Sequence, residues 1–223
     1  MALAAGAASE RGLPRRRGQL LVVDDHADLA DNLREILEDD GAIEVTVVGR
    51  GGQALEHARA RGYDVAIVDV KLPDTSGVEL LPRLRDAVPD GEVILITGFA
   101  TIDAAIAALR GGAFALLLKS FRPEELRTTV EQALLKVALR RERDWLERRY
   151  RALVDVADVM VLGLDPSCAI RLANPKFTAL TGVPTHAARG LDLAEEWIAD
   201  SDRARFREAG DDVARRGAPR EVE

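Results

Sequence analysis

The feature that most constrains this chain is an alternation beginning at Gln19. Gln19-Leu20-Leu21-Val22-Val23 is a short apolar run that ends in Asp24-Asp25. Residues 27–39 follow, with Leu29, Leu33, Ile36 and Leu37 at helical spacing, and Gly41 closes the stretch. The same two patterns then recur. Strands are expected at 44–48, 65–69, 92–97 and 114–118, and helices at 52–61, 77–87, 102–110 and from Pro123 onward. Runs that are apolar throughout, rather than alternating, belong to strands buried on both faces. Strands separated by helices give an α/β fold, a doubly wound five-stranded parallel sheet. Such a sheet gathers the carboxyl ends of its strands at the crevice where strand order reverses. Asp24, Asp25, Asp69, Thr97 and Lys119 all stand at strand ends.

Three carboxylates brought to one sheet edge repel one another, so protons or a cation must sit among them. Mg²⁺ suits an all-oxygen site that keeps some waters and accepts a phosphate ligand. With Asp24, Asp25 and Asp69 ionised, Lys119 protonated and one Mg²⁺ bound, the site is neutral and ready for a phosphoryl group. A carboxylate can then act as the nucleophile and form an aspartyl phosphate. The lysine and the Thr97 hydroxyl would stabilise charge on the equatorial oxygens.

Composition narrows the remaining classes. A chain of 223 residues has room for one or two domains, each able to bury a core. A net charge of -7 argues against a general nucleic-acid binder. The single Cys168 excludes an intramolecular disulfide framework, and no Cys/His cluster has zinc spacing. No uninterrupted apolar run is longer than the six residues of 113–118, too short to span a bilayer. Residues 1–18 read as a disordered tail; Arg15, Arg16 and Arg17 follow its small residues, so it is not a secretory signal. The expectation is a cytoplasmic protein with no membrane or nucleic-acid partner.

The helix from Pro123 does not stop where a sheet-covering helix should. No Pro or Gly occurs between Glu124 and Asp158. Leu126, Val130, Leu134 and Val137 form one apolar stripe and Leu146, Tyr150 and Leu153 another, with Arg140, Arg141, Arg143 and Asp144 between them. One long helix is expected, packed on the sheet at first and then serving as a connector at 138–149. A homodimer through this connector is compatible with the sequence, although the interrupted seam does not require it. Beyond it, 159–164 and 169–173 read as a hairpin turning at Asp165-Pro166-Ser167. Asn174-Pro175 opens a short helix that Thr181-Gly182 ends, and a polar helical stretch runs from about 202 to 215.

These residues carry two resemblances. Residues 19–137 resemble a response-regulator receiver domain, the phosphoacceptor module of two-component signalling, with a flavodoxin-like fold. Asp24-Asp25 match its acidic pair, Asp69 its phosphorylated aspartate and Leu72-Pro73-Asp74-Thr75-Ser76-Gly77 the loop that follows. Thr97 in Ile96-Thr97-Gly98 matches its hydroxyl residue and Lys119 its lysine, and the stretch 97–113 is similar to receivers of the NtrC type. The resemblance implies Mg²⁺ on Asp24, Asp25 and Asp69, and a phosphoryl group received from a histidine kinase or a histidine phosphotransfer protein. It also implies that Lys71 and Phe99 flank the phosphate and tune its hydrolysis. Two positions depart from the family: Leu116 stands where an aromatic residue is usual, and Ser120 where a proline, often cis, follows the lysine. A cis bond before a non-proline residue costs about 2.5–4 kcal/mol, so a trans or a strained Lys119-Ser120 bond is expected.

Residues 150–223 resemble the first half of a PAS sensor domain. Tyr150-Arg151-Ala152-Leu153-Val154, the hairpin with Asn174, Leu180-Thr181-Gly182 and Gly190 carry the match. Two strands, with Glu221-Val222-Glu223 as the start of a third, make an incomplete α+β domain with an unpaired edge, and poor order is expected after Leu191. The resemblance implies the amino-terminal part of a receiver-headed sensor or hybrid histidine kinase, whose kinase core lies outside these residues. Phosphorylation would then change the attitude of the connector. The alternative is a receiver-PAS adaptor that signals by phosphorylation-dependent docking. A haloacid-dehalogenase-like phosphohydrolase would need an aspartate two residues after Asp69, where this chain has Lys71. No basic recognition helix supports a DNA-binding output. His26 reads as a helix-start residue in preference to a phosphodonor or metal ligand. Trp145 and Trp197 read as packing residues, Cys168 as incidental, and the basic run 140–151 as a solvated helix face.

Overall fold

The computed structural model describes residues 17–38, 41–98, 106, 108 and 110–216. The chain divides into two compact units, Met1–Glu142 and Arg143–Glu223. In the first, β1 (Gly18–Val23), α1 (Ala27–Glu38), β2 (Ile43–Val48), α2 (Gly51–Arg61), β3 (Val65–Asp69), α3 (Gly77–Ala87), β4 (Glu92–Thr97) and β5 (Ala115–Leu118) alternate in sequence order. The strands are all parallel, in the order β2-β1-β3-β4-β5. This is the flavodoxin-like, doubly wound arrangement. Of the helix expected at 102–110, Ile106, Ala108 and Arg110 are helical, and the rest lies outside the described residues, as do Phe99 and 221–223.

Period-two side-chain geometry explains the two cores. Leu20, Val22, Val65, Ile67, Ile94 and Ile96 pack on one face of the sheet with Leu33 and Leu37 of α1. Leu21, Val23, Ala66, Val68, Val93 and Leu95 pack on the other with Leu55, Leu80 and Leu84. Every residue of β3 and β4 is buried, which is why these strands read as unbroken apolar runs. Chain direction across the sheet reverses between β1 and β3, so the crevice opens between Asp24 and Asp69.

The long helix α4 (Pro123–Val156) begins on the first core through Leu126, Val130 and Ala133. Ala133 is fully buried and Leu134 half-buried, so the stripe is rotated slightly from the one its leucines suggest. At the opposite pole of the sheet from the crevice, Asp64 and Glu92 are buried at the starts of β3 and β4. Three cations from α4 cover them. Arg141 pairs with Asp64, while Lys136 Nζ lies 2.9 Å and Arg140 Nη2 3.3 Å from Glu92 Oε1. Arg140 also donates to the Pro89 carbonyl at 3.2 Å, and Asp64 Oδ2 accepts the Gln19 N–H at 2.7 Å. Arg140 and Arg141 are therefore docked rather than solvated, because two carboxylates buried without cations would be strongly unfavourable. Arg140→Met together with Arg141→Met is expected to destabilise the first unit by about 1–3 kcal/mol, read by urea unfolding; the partial exposure of both arginines sets the low end.

In the second unit, β6 (Leu162–Leu164) and β7 (Ile170–Ala173) pair antiparallel, followed by α5 (Pro175–Thr181), α6 (Thr185–Ala188), α7 (Leu193–Trp197) and α8 (Asp200–Arg216). Asp165 builds the turn between the strands. Its Oδ1 accepts from Ser167 Oγ at 2.7 Å and from the Ser167 and Ala169 N–H groups at 3.0 Å each. The Ser167 hydroxyl and the other donors hold its carboxyl down at about 2. This turn places Cys168 at φ 66, with its side chain buried. Phe177 fills the core, and Trp197 meets it edge-on with centroids 5.3 Å apart. Trp145 is instead 44% exposed and stacks beneath Arg149.

Regular structure continues past Leu191, contrary to the expectation of poor order. Asp192 caps α7 by accepting the Ala194 and Glu195 N–H groups, and its Oδ2 lies 2.7 Å from Arg207 Nη2 of α8. Arg203 reaches back to the Ala194 and Ile198 carbonyls at 2.9 and 3.0 Å. Polar side chains thus join α7 to α8 where few apolar residues are available.

Candidate functional site

Each residue of the site is set by the end of a strand. Asp24 follows β1, with its N–H bonded to the Val48 carbonyl at 3.1 Å, and its side chain is fully buried. Asp69 is the last residue of β3, and Thr97 the last of β4; both are buried. Lys119 follows β5 and donates its backbone N–H to the Thr97 carbonyl at 2.8 Å. Asp25 is turned more towards solvent, with 40% of its side chain exposed.

Lys119 Nζ lies 2.8 Å from Asp24 Oδ2 and 2.7 Å from Asp69 Oδ2. Burial alone would lower the ammonium's pKa, but hydrogen bonds and charge from both carboxylates outweigh it and hold the pKa above that of an ordinary lysine. The lysine is therefore a fixed cation. Asp69 Oδ1 accepts the Lys71 N–H at 3.2 Å. His26 starts α1, as its position suggests, but its imidazole also reaches the acidic pair: Nδ1 is 3.2 Å from Asp24 Oδ1 and 3.1 Å from Asp25 Oδ1. The ligand atoms of Asp24, Asp25, His26 and Asp69 all lie within 4.8 Å of one another. Of these, His26 and Asp69 line a cleft of about 610 Å³, together with Lys71, Gly98 and Lys119.

The loop after Asp69 is held from two sides. Asp74 accepts the Gly51 and Gly52 N–H groups at 2.9 Å each, at the start of α2. Those two donors hold its carboxyl below the usual range. Gly77 donates to the Val70 carbonyl at 2.9 Å, and a Cβ there would run into the Asp69 carbonyl oxygen. Only glycine lets α3 begin this close behind Asp69. The family resemblance places Asp74 only in the loop after Asp69; its capping of a distant helix appears only in three dimensions.

Three carboxylates at one crevice, two of them buried, supply the hard oxygen donors that suit Mg²⁺. At the two departures from the family pattern, Leu116 is half-buried against the second core. No cis peptide bond occurs among the described residues, so Lys119-Ser120 is trans.

Comparison with known proteins agrees with this geometry. Residues 20–131 match the response regulator receiver domain family, and residues 148–221 the PAS fold. The chain is 30% identical over 119 residues to the regulatory protein LuxO of Vibrio cholerae, covering 53% of this chain and 26% of that protein. It is 40% identical over 99 residues to a response regulator receiver protein of Anaeromyxobacter, covering 44% of this chain and 41% of that one. Among solved structures, the receiver domain of a putative LuxO repressor from Vibrio parahaemolyticus matches with a TM-score of 0.54 and 27% identity, over 59% of this chain and 98% of that one. The receiver domain of an HD domain-containing protein from Pseudomonas fluorescens matches with a TM-score of 0.55 and 26% identity, over 64% and 99%. Receiver and PAS domains together support a role in two-component signalling. The chain belongs to the response regulator receiver family, with a PAS fold following its receiver domain.

Proposed function

We propose that this chain is a Mg²⁺-dependent phosphoacceptor switch, with Asp69 as the phosphorylated residue and the PAS region as a sensory module. The observation that supports this best is Lys119 Nζ held between Asp24 and Asp69 at the mouth of an open cleft. In this reading an Asp69 carboxylate oxygen attacks the phosphorus of a partner's phosphohistidine. The P–N bond breaks, and the departing imidazole nitrogen keeps the electron pair and takes up a proton. Asp24, Asp25 and Asp69 would hold the metal, which would supply charge neutralisation for the transferring phosphoryl oxygens. Lys119 shifts from a carboxylate pair to a phosphate oxygen, a fixed charge that needs no reorganisation. The Thr97 hydroxyl reports the phosphate to its surroundings, and Lys71 flanks it.

The donor is a histidine kinase or a histidine phosphotransfer protein, in the cytoplasm. No helix among the described residues is long and apolar enough to cross a membrane. This chain is read as the amino-terminal part of a sensor or hybrid histidine kinase. This chain spans about a quarter to two fifths of the curated relatives named above, which are themselves response regulators. A stand-alone receiver-PAS adaptor is therefore the second reading, favoured by those relatives. Homodimerisation through α4 belongs to the first. Leu139, Leu146 and Leu153 recur at heptad spacing on that helix, and all three are exposed.

Incubation with acetyl phosphate and Mg²⁺ tests the core of the proposal. One phosphate adduct is expected by intact mass, mapped to the peptide containing Asp69 and abolished by a chelator. An adduct on another residue, or one indifferent to the chelator, would sink the reading.

A further inference from the structure

We propose that His26 contributes its imidazole nitrogen to the cation site of Asp24, Asp25 and Asp69. The site would then favour nitrogen-accepting divalent cations such as Mn²⁺ and Ni²⁺ over Mg²⁺ more strongly than carboxylates alone would. The inference rests on the reading above that these three carboxylates hold a divalent cation.

The backbone fixes the histidine before any ion arrives. Its N–H donates to Asp24 Oδ1 at 2.9 Å, and its carbonyl accepts the Ala30 N–H at 3.0 Å in the first turn of α1. The ring is thereby set over the acidic pair. Lys119 engages the Oδ2 atoms of Asp24 and Asp69, so the Oδ1 atoms of Asp24 and Asp25 are the ones that meet His26. The Nδ1 separations from them are 3.2 and 3.1 Å. Metal bonds of about 2.1–2.2 Å at right angles place adjacent donors roughly 3.0 Å apart, so the nitrogen already stands close to an octahedral edge length from each of the two oxygens. The histidine side chain is 70% exposed and lines the cleft, which leaves the site open to a cation from solvent.

Ligand chemistry sets the consequence. Mg²⁺ is hard and takes oxygen donors, so one imidazole adds little to its binding. For borderline cations imidazole is a good ligand, and affinity rises from Mn²⁺ towards Ni²⁺. His26 would thus leave Mg²⁺ binding to the carboxylates and superimpose a preference of its own. The competing account is that His26 serves only as a counter-cation between Asp24 and Asp25. The two accounts differ in sign, because removing a counter-cation tightens every divalent ion while removing a ligand weakens selected ones.

The test is calorimetric titration of the untagged full chain with Mg²⁺, Mn²⁺ and Ni²⁺ separately, at one pH. Wild type is compared with His26→Ala, His26→Gln and Asp24→Asn. Both His26 variants should weaken Ni²⁺ by about tenfold or more and Mn²⁺ by less, and change Mg²⁺ less than about twofold. Equal changes for all three ions, or uniform tightening, would overturn the proposal and leave the carboxylate site standing. Mg²⁺ affinity unchanged in Asp24→Asn would instead overturn the cation-site reading itself. The exposure of His26 makes its variants safe for folding, which circular dichroism checks.

Discussion

Asp69→Ala protein incubated with acetyl phosphate and Mg²⁺ is expected to stay at its unphosphorylated mass, and Lys119→Ala protein to gain phosphate at least about a hundredfold more slowly. The two losses have different causes. The first removes the carboxylate that ends the central strand β3 and lines the cleft. The second leaves the proposed nucleophile in place but strips the charge that would meet the incoming phosphoryl oxygens. It also leaves Asp24 and Asp69 buried together without their shared cation, 2.8 and 2.7 Å from where it stood. That should lower the stability of the first unit by about 2–4 kcal/mol. Saturating Mg²⁺ should restore part of the stability and little of the rate, since a cation can neutralise the carboxylates without occupying the lysine's position. Urea unfolding with and without Mg²⁺ separates the two effects, and full recovery of the rate would refute the role given to Lys119.

The second large effect is expected at Asn174, which is completely buried. Its Nδ2 donates to the Val154 and Val159 carbonyls at 3.0 and 2.9 Å, and its Oδ1 accepts the Val161 N–H at 3.0 Å. One side chain thus ties the end of α4 to the chain entering β6. Asn174→Ala strands all three backbone groups, so a cost of about 2–4 kcal/mol is expected. The loss should fall on the second unit alone. Trp197 fluorescence in a Trp145→Phe background would report it, because Trp197 packs against Phe177 in that unit's core. A change below about 0.5 kcal/mol would show that water replaces the amide without cost.

Much of the first unit could be read from residue order. Strands buried on both faces appear as unbroken apolar runs, and a residue that ends such a run is placed at the crevice by topology alone. Asp24, Asp69, Thr97 and Lys119 were legible for that reason. His26 was not, because its neighbours in sequence mark it first as the start of a helix. The cations on α4 were hidden for a different reason. An arginine that neutralises a buried carboxylate far away in the chain has the same local surroundings as one in solvent. Asp64 precedes one expected strand and Glu92 begins another, and nothing in their local sequence marks either as buried. Past Leu191 the helix expected at about 202–215 is present as α8, but the order of this stretch is not legible, because α7 and α8 are joined by Asp192, Arg203 and Arg207 and periodic apolar spacing does not register such contacts.

The cover over Asp64 and Glu92 bears on how far this receiver is portable. The family match ends at residue 131, whereas the cations that neutralise the two carboxylates sit at Lys136, Arg140 and Arg141. A fragment cut at the family boundary would keep the whole crevice, yet it would carry two naked acids under its sheet. Grafted onto another output, the module should keep its stability only if roughly three further turns of helix travel with it. In this chain the functional module and the folding module have different ends, and the difference is written in charge.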